Sequence, residues 1–173
     1  GMSLSVGGAV WRGDLTWTDT SRERTWSLVT GATWSWTWNG RNVSGVLEYY
    51  YNGFGQPGGE YRPVDLLRNP DLLRRIERGE LYTLGRHYIG ASATIELTPL
   101  FLFTPTLLTN LEDPSALLQL TVQYDWREDM RLLAALNLPV GAAGTEYGGI
   151  EAGLRDRYLS TGFSALLQLA WYF

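Results

Sequence analysis

Apolar and polar residues alternate with a period of two along most of the chain, the spacing of a β-strand with one dry and one wet face. The longest run is Trp26 to Trp38, whose even positions read Trp, Leu, Thr, Ala, Trp, Trp, Trp, with Ser, Val, Gly, Thr, Ser and Thr between them. It is longer than the about five or six residues of a typical strand. Val43 to Tyr51 repeats the pattern, with Val43, Gly45, Leu47, Tyr49 and Tyr51 on one face and Ser44, Val46, Glu48 and Tyr50 on the other. Leu81 to Leu97 sets Leu81, Ile89, Ala91, Ala93, Ile95 and Leu97 against Tyr82, Arg86, Tyr88, Ser92, Thr94 and Glu96. From Ala116 the chain alternates Ala, Leu, Leu, Val, Tyr with Leu, Gln, Thr, Gln, Asp, and Phe163 to Phe173 closes the series. Less regular strands are expected at Leu4 to Trp17, Pro99 to Thr109 and Met130 to Leu138. Eight strands are predicted.

The links alternate in length. Asn39-Gly40-Arg41-Asn42 carries the Asn-Gly of a tight hairpin, Trp126 to Asp129 is as short, and Thr98-Pro99 is shorter still. The others are longer, at 19–24, 53–80, 110–115 and 139–161. An up-and-down sheet then has all its short turns at one end and all its long loops at the other. This is the layout of a bacterial outer-membrane barrel, with short periplasmic turns and longer external loops.

Alternation does not say which face points inward. A soluble up-and-down barrel buries its apolar face, and this is the alternative. The aromatic residues favour the reverse. Trp34, Trp36, Trp38 and Trp171 lie near the short-turn end, and Trp17, Trp26, Tyr49 and Tyr51 lie toward the long-loop end. Two such belts are expected where a barrel wall meets the two water interfaces of a membrane.

The composition narrows the chemistry. The 173 residues include no Cys and one His, which leaves no disulfide framework, no thiolate site and no His-rich metal centre. All fourteen cationic residues are Arg, and the net charge is −4, so nucleic acid is not an expected partner. Mean hydropathy is only −0.15, as for an ordinary soluble protein. No window reaches the about 18 apolar residues of a membrane helix; the most apolar stretch, Leu97 to Leu111, is broken by Pro99 and Pro105. The N-terminus has no basic region followed by an apolar one, and Gly1 ahead of Met2 has the form left by a cleaved tag. The chain is therefore expected to be a mature form, a fragment or an engineered variant.

The C-terminal run Phe163-Ser164-Ala165-Leu166-Leu167-Gln168-Leu169-Ala170-Trp171-Tyr172-Phe173 resembles the terminal signal strand of bacterial outer-membrane barrels, which the assembly machinery recognises. The resemblance implies Leu167, Leu169, Trp171 and Phe173 as an assembly signal. The segments Leu81 to Tyr88 and Leu133 to Gly141 also resemble uncharacterised proteobacterial outer-membrane proteins considerably longer than this chain. It implies the C-terminal part of a bigger barrel, or a shortened version engineered to close alone. A location and a fold follow from it, and no activity.

Each candidate for chemistry has a plainer reading beside it. Small outer-membrane barrels that act on lipid A use His with Ser and Glu, but His87 has opposite parity to Ser92 and Glu96, which keeps a base from its nucleophile on that strand. Catalysis is not expected. Glu48, Arg86, Glu96, Gln119, Gln123, Arg131 and Gln168 fall on the polar face and are expected to form a lumen network. Eight strands enclose a space that side chains just fill, so a closed ion-pair plug is expected rather than an ion-selecting constriction. The only helical signal is Asn69 to Gly79, with Asn69 as N-cap, Pro70 at the first position and Gly79 as terminator. It reads as a lid packed on the barrel mouth, whose Arg74, Arg75 and Arg78 offer lipopolysaccharide-phosphate contacts as the sharper reading. Gly141 to Gly149 lacks the Lys of a phosphate loop and reads as a flexible external loop. Asn42-Val43-Ser44 fits a glycosylation pattern that has no meaning in a bacterial turn.

The expectation is a single all-β domain over 1–173, a transmembrane up-and-down antiparallel barrel of eight strands with one short helix in an external loop. It is expected in the bacterial outer membrane as a monomer, without cofactor or metal. Its expected partners are the lipid bilayer, lipopolysaccharide and the outer-membrane assembly machinery. The expected function is that of a non-enzymatic scaffold or binding barrel acting through its loops. A channel or porin-like conduit is the alternative, and a lipid-modifying enzyme the third reading.

Overall fold

The structure, a computed structural model, describes residues 1–20, 24–59, 61–151, 158–159 and 162–173. Its strands are β1 (Met2–Val6), β2 (Ala9–Asp19), β3 (Arg24–Trp38), β4 (Arg41–Tyr51), β5 (His87–Thr98), β6 (Phe101–Asn110), β7 (Ser115–Arg127), β8 (Met130–Val140), β9 (Ile150–Glu151), β10 (Tyr158–Leu159) and β11 (Ser164–Trp171). Between β4 and β5 lie a 3₁₀ turn (Pro57–Gly59) and two helices, α1 (Pro63–Leu67) and α2 (Pro70–Glu77). The protein is therefore mostly antiparallel β. Nine strands form one sheet in the order β1-β2-β3-β4-β5-β6-β7-β8-β11, and β9 and β10 pair only with each other. Among the described residues no helix is long and apolar enough to cross a membrane, which says nothing of strands.

Three features differ from the expectation. The first expected strand, Leu4 to Trp17, is two strands. Gly7 and Gly8 take φ of 56° and 84°, the conformation of a two-residue turn matched to strand twist, and they fold β1 back on β2. Asn39 and Gly40, at 49° and 75°, make the same kind of turn between β3 and β4. The main sheet has nine strands rather than eight, and the short pair β9 and β10 lies outside it. The expected strand from Leu81 begins only at His87, because the preceding residues bond back within the long 52–86 loop, which carries both helices and forms the lid: Asn52 N–H donates to the Arg86 carbonyl at 2.7 Å and Gln56 N–H to that of Leu84 at 2.7 Å. Last, the sheet is not closed. Strands β1 and β11 are each bonded on one side only. Eight antiparallel pairings separate them, so both run toward the short turns. Closing eight strands by pairing β2 with β11 is blocked here, since β1 already occupies that edge of β2.

The register carries each face unbroken across the sheet. Leu4, Trp11, Ala32, Leu47, Ala91, Leu107, Leu118 and Leu138 are successive partners on one face. Ser5, Val10, Thr33, Val46, Ser92, Thr106, Gln119, Asn137 and Ser164 cross all nine strands on the other. This second row is partly tied through side chains. Ser92 and Thr106 hydroxyls lie 2.9 Å apart, Gln119 Nε2 donates to Asn137 Oδ1 at 2.8 Å, and Asn137 Nδ2 donates to Ser164 Oγ at 2.9 Å. The lid lies over the polar face. A cavity of about 270 Å³ separates Thr16, Ser27, Val29 and Tyr50 of that face from Phe54 and Arg75 of the lid. The apolar face stays open, with Leu15, Trp17, Leu167 and Trp171 each about two-thirds exposed.

Candidate functional site

The buried part of the molecule is at the long-loop end, and polar groups build it. The 52–86 segment enters through Asn52, which is fully buried. Its carboxamide oxygen accepts from Phe54 N–H at 3.1 Å, while its Nδ2 donates to Thr83 Oγ1 at 3.3 Å. Helix α2 begins as its sequence dictates. The Asn69 side chain accepts from Leu72 N–H at 3.3 Å and donates to the Phe54 carbonyl at 2.9 Å, so one residue both caps the helix and pins it to the loop. Leu72 is buried beneath it, and the Arg75 guanidinium stacks 3.8 Å from the centre of the Phe54 ring. Gly79, at φ +70°, follows the helix as an ending glycine should.

Three carboxylates then clamp the loops together. Glu112, in the β6–β7 turn, accepts from Gly58 N–H at 3.3 Å and from Arg86 N–H at 2.5 Å. Asp113 beside it accepts from Ser115 Oγ at 2.5 Å and from Glu146 N–H at 2.6 Å. Glu146, carried by the 141–149 loop, accepts from Leu84 N–H at 2.8 Å, from Tyr88 Oη at 2.5 Å and from Asn110 Nδ2 at 2.7 Å. Asn110 Nδ2 also donates to Tyr61 Oη at 2.7 Å, and Tyr88 Oη accepts from Gly85 N–H at 2.6 Å. Tyr61, Tyr88, Asn110 and Ser115 are all 2% exposed or less. Burial raises the Glu146 carboxyl above the ordinary Glu range, against the lowering effect of its three donors and with a further push from the Asp113 charge. Burial likewise raises the Tyr61 and Tyr147 phenols, helped by the neighbouring carboxylates.

The 141–149 loop is thus a packed element, and the expectation of a flexible loop is corrected. Thr145, Glu146 and Tyr147 are buried, and the Thr145 hydroxyl donates to the Ala142 carbonyl at 2.6 Å. The glycines serve closeness here: a Cβ on Gly148 would lie 2.0 Å from the Ala142 carbonyl oxygen. The rest of the expected 139–161 loop at 152–157 and 160–161, like 21–23 of the 19–24 loop, lies outside the described residues.

The expected lumen residues are dispersed. Arg86 stands in the lid, where its Nε donates to the Gly55 carbonyl at 2.9 Å, so it does not join Glu48 and Glu96 as expected. Glu48 faces Gly31 and Gly90 on neighbouring strands, and Glu96 accepts from Asn42 Nδ2 at 2.7 Å. Gln119 belongs to the polar row described above. Gln123 pairs with Leu102 and Leu133, and Gln168 with Leu133, all on the polar face. Arg131 bonds Asp125 at 2.5 Å, near the short-turn end. The three lid arginines each meet a carboxylate: Arg74 meets Asp71 at 2.6 Å, and Arg75 and Arg78 meet Glu80 at 2.8 and 3.5 Å.

The aromatic residues expected at the interfaces lie on the apolar face toward the two ends of the strands. Trp17 pairs in register with Trp26, whose ring centre is 4.4 Å from that of Tyr51. Tyr51 contacts His87 at 5.1 Å, and Tyr49 Oη lies 2.6 Å from His87 Nδ1. The single His therefore sits in the aromatic group on the apolar face, away from Ser92 and Glu96. At the other end Trp34 and Trp36 stack at 5.8 Å over Gly45, and Trp38 precedes the Asn39-Gly40 turn. Trp171 Nε1 donates to Asp129 Oδ2 at 2.8 Å, and Leu167, Leu169 and Trp171 share one face of the edge strand β11, with Phe173 just beyond it.

Sequence reasoning missed Tyr61, Tyr88, Asn110, Asp113, Ser115 and Glu146 as a unit. The available signal was the polar parity of Tyr88, Asn110 and Ser115 at strand ends facing the long loops. Chemically the cluster offers one carboxyl of raised proton affinity among phenol and amide donors. Ser115 has a carboxylate partner but no imidazole, since His87 is on the opposite face. Among the described residues no group of three His, Cys, Asp or Glu side chains is placed to hold a metal ion. Comparison of the chain with protein-family models, with curated proteins and with solved structures finds no match in any of the three.

Proposed function

We propose that this chain forms the wall of a bacterial outer-membrane β-barrel and acts as a non-enzymatic scaffold or binding barrel through its lid and loops. One observation carries the reading. The lid is packed on the polar face, so that face is the covered one, and the face left open is apolar over all nine strands. In water, an apolar surface of that continuity would be a severe aggregation liability, since monomeric soluble proteins rarely expose patches beyond a few hundred Å². In a bilayer it is the required surface. The aromatic groups at its two ends fit the interfacial belts of such a wall.

The test is refolding from denaturant with and without detergent, followed by gel mobility of unboiled and boiled samples and by far-ultraviolet circular dichroism. A heat-dependent mobility shift and a strong β signal seen only with detergent or lipid are expected. Cooperative folding in plain buffer would replace this reading with a soluble barrel whose apolar face turns inward.

The conduit reading has its own support in the two unpaired edges. Backbone groups cannot stay unpaired in hydrocarbon, so a wall of this chain needs its edges covered, either by each other or by further strands. With further strands the polar row would line a wider lumen. Planar-bilayer conductance separates the readings: steady conductance whose cation preference falls in Glu48→Gln would favour the conduit, and a silent bilayer the scaffold.

A further inference from the structure

We propose that β1 and β11 of one chain pair with each other in parallel and close the sheet as a barrel of nine strands. The seam rests on the reading that the apolar face meets lipid, since hydrocarbon leaves a free sheet edge without partners.

Direction and faces fit. Both edge strands run toward the short turns, so they meet in parallel, with evenly spaced bonds. The polar row that crosses the sheet begins at Ser5 and ends at Ser164, so Ser3 and Ser5 share the polar face with Gln168 and Ala170. Met2, Leu4 and Val6 share the apolar face with Leu167, Leu169 and Trp171. The stagger fits as well. A barrel closes only if its strands tilt, so a row of partners does not return to the residue it left. Ser5 is the second residue of β1 counted from the short-turn end, and Ser164 is the eighth of β11. With those ends level, Met2–Val6 lies beside Leu167–Trp171, and apolar residues meet apolar ones: Met2 with Leu167, Leu4 with Leu169 and Val6 with Trp171.

The loops already carry the sheet round. Glu80 and Leu81 of the lid line one cavity with Asp14, Thr16 and Thr18 of β2, and nearby Leu84 N–H is held by Glu146 from the loop after β8. Elements next to both edges thus meet one stretch of the lid within a single chain. Neither edge strand has to leave its neighbour. β1 keeps its partners on β2, Ala9 to Gly13. The end of β11 is tied to the β7–β8 turn, where Asp129 accepts from Trp171 Nε1 and from Tyr172 N–H, both at 2.8 Å. Pairing β11 with β2 instead would strip β1 from its partners. Beyond Gly13 the edge of β2 borders the cavity under the lid, where water can reach its backbone.

The chain has no Cys, so paired cysteines report the seam directly. Ser5→Cys with Ala170→Cys, side by side in this register, is refolded in detergent, oxidised, and read by non-reducing gel and by the mass of the linked peptides. A disulfide within one chain is expected in most molecules, because the spacing of adjacent strands suits the bond. Ser5→Cys with Ser164→Cys, at the other end of β11, is expected to form none. A disulfide between two chains would mean that two copies pair edge to edge, and one in Arg12→Cys with Ala170→Cys would mean that β11 has displaced β1 from β2; either overturns the proposal. Absence of a disulfide in protein that shows the detergent-dependent mobility shift overturns it alone. Absence of that shift in the native chain overturns the membrane reading and the seam with it. If the first pair does not fold, Ser3→Cys with Gln168→Cys, next in the same register, decides in its place.

Discussion

At the residue scale, small side chains sit where a larger one has no room, and polar ones where each atom is used. On the apolar face, a Cβ at Gly45 would stand 2.8 Å from the Trp36 ring and 3.1 Å from that of Trp34. The glycine is the floor on which the two indoles stack, an arrangement in which aromatic rings shield a strand glycine. Gly45→Ala is expected to cost about 1–3 kcal/mol through overpacking, read as a lower denaturant midpoint; an unchanged midpoint would mean the indoles are free to move aside. In the buried cluster, Asn110→Ala would take a donor from Glu146 and from the Tyr61 hydroxyl at once. Its expected cost is about 1–3 kcal/mol for buried groups left without a partner, measured the same way, and a neutral result would mean water replaces the amide. The cap at Asn69 was legible because an N-cap and its helix are neighbours in sequence. The Glu146 clasp was not, because its partners Leu84, Tyr88 and Asn110 are 62, 58 and 36 residues away and no local pattern joins them.

At the element scale, alternation located the strands because a sheet with one apolar face imposes a period of two on every strand in it. It was less informative where a turn joins two short strands. The apolar phase shifts from even positions at Leu4 and Val6 to odd ones at Trp11, Leu15 and Trp17 across Gly7 and Gly8, so the segment reads as one irregular strand although the shift marks a hairpin. Leu81 to Arg86 failed because the alternation is carried only from Ile89 onward, while the backbone of Leu84 and Arg86 bonds to 52–56 of the lid. Gly8→Val would force a β-branched residue into φ of 84° and is expected to cost at least about 1–2 kcal/mol locally. The expected result is loss of exchange protection between β1 and β2 with the rest of the sheet intact; unaltered protection would contradict the turn. The two faces of β7 provide a sharper contrast. Leu120, between Pro105 and Leu136 on the apolar face, is expected to lose about 2–4 kcal/mol in a bilayer as Leu120→Arg. Gln119→Arg on the polar face is expected to lose much less. Equal losses in lipid-refolded protein would show that the faces are not in different solvents.

At the scale of the whole molecule, the sheet, the lid and the packed loops make one asymmetric object. One face is polar and covered at its long-loop end, and the other is apolar and bare. Nine strands with parallel-running edges do not close as eight antiparallel ones would, and β1 is the reason. The sequence pattern made the sheet and its two faces legible but not its edges, because closure depends on which strands lie first and last and on their direction. On the function proposed above, the bare face meets lipid. The most direct measurement is the tryptophan emission of protein refolded into vesicles of brominated phospholipid, compared with vesicles of the same lipid without bromine. With Trp11, Trp17, Trp26, Trp34, Trp36, Trp38 and Trp171 all on the apolar face, strong quenching by bromine in the acyl chains is predicted. Emission that is indifferent to bromine, from protein that has nonetheless folded, would place those indoles away from lipid and contradict the account.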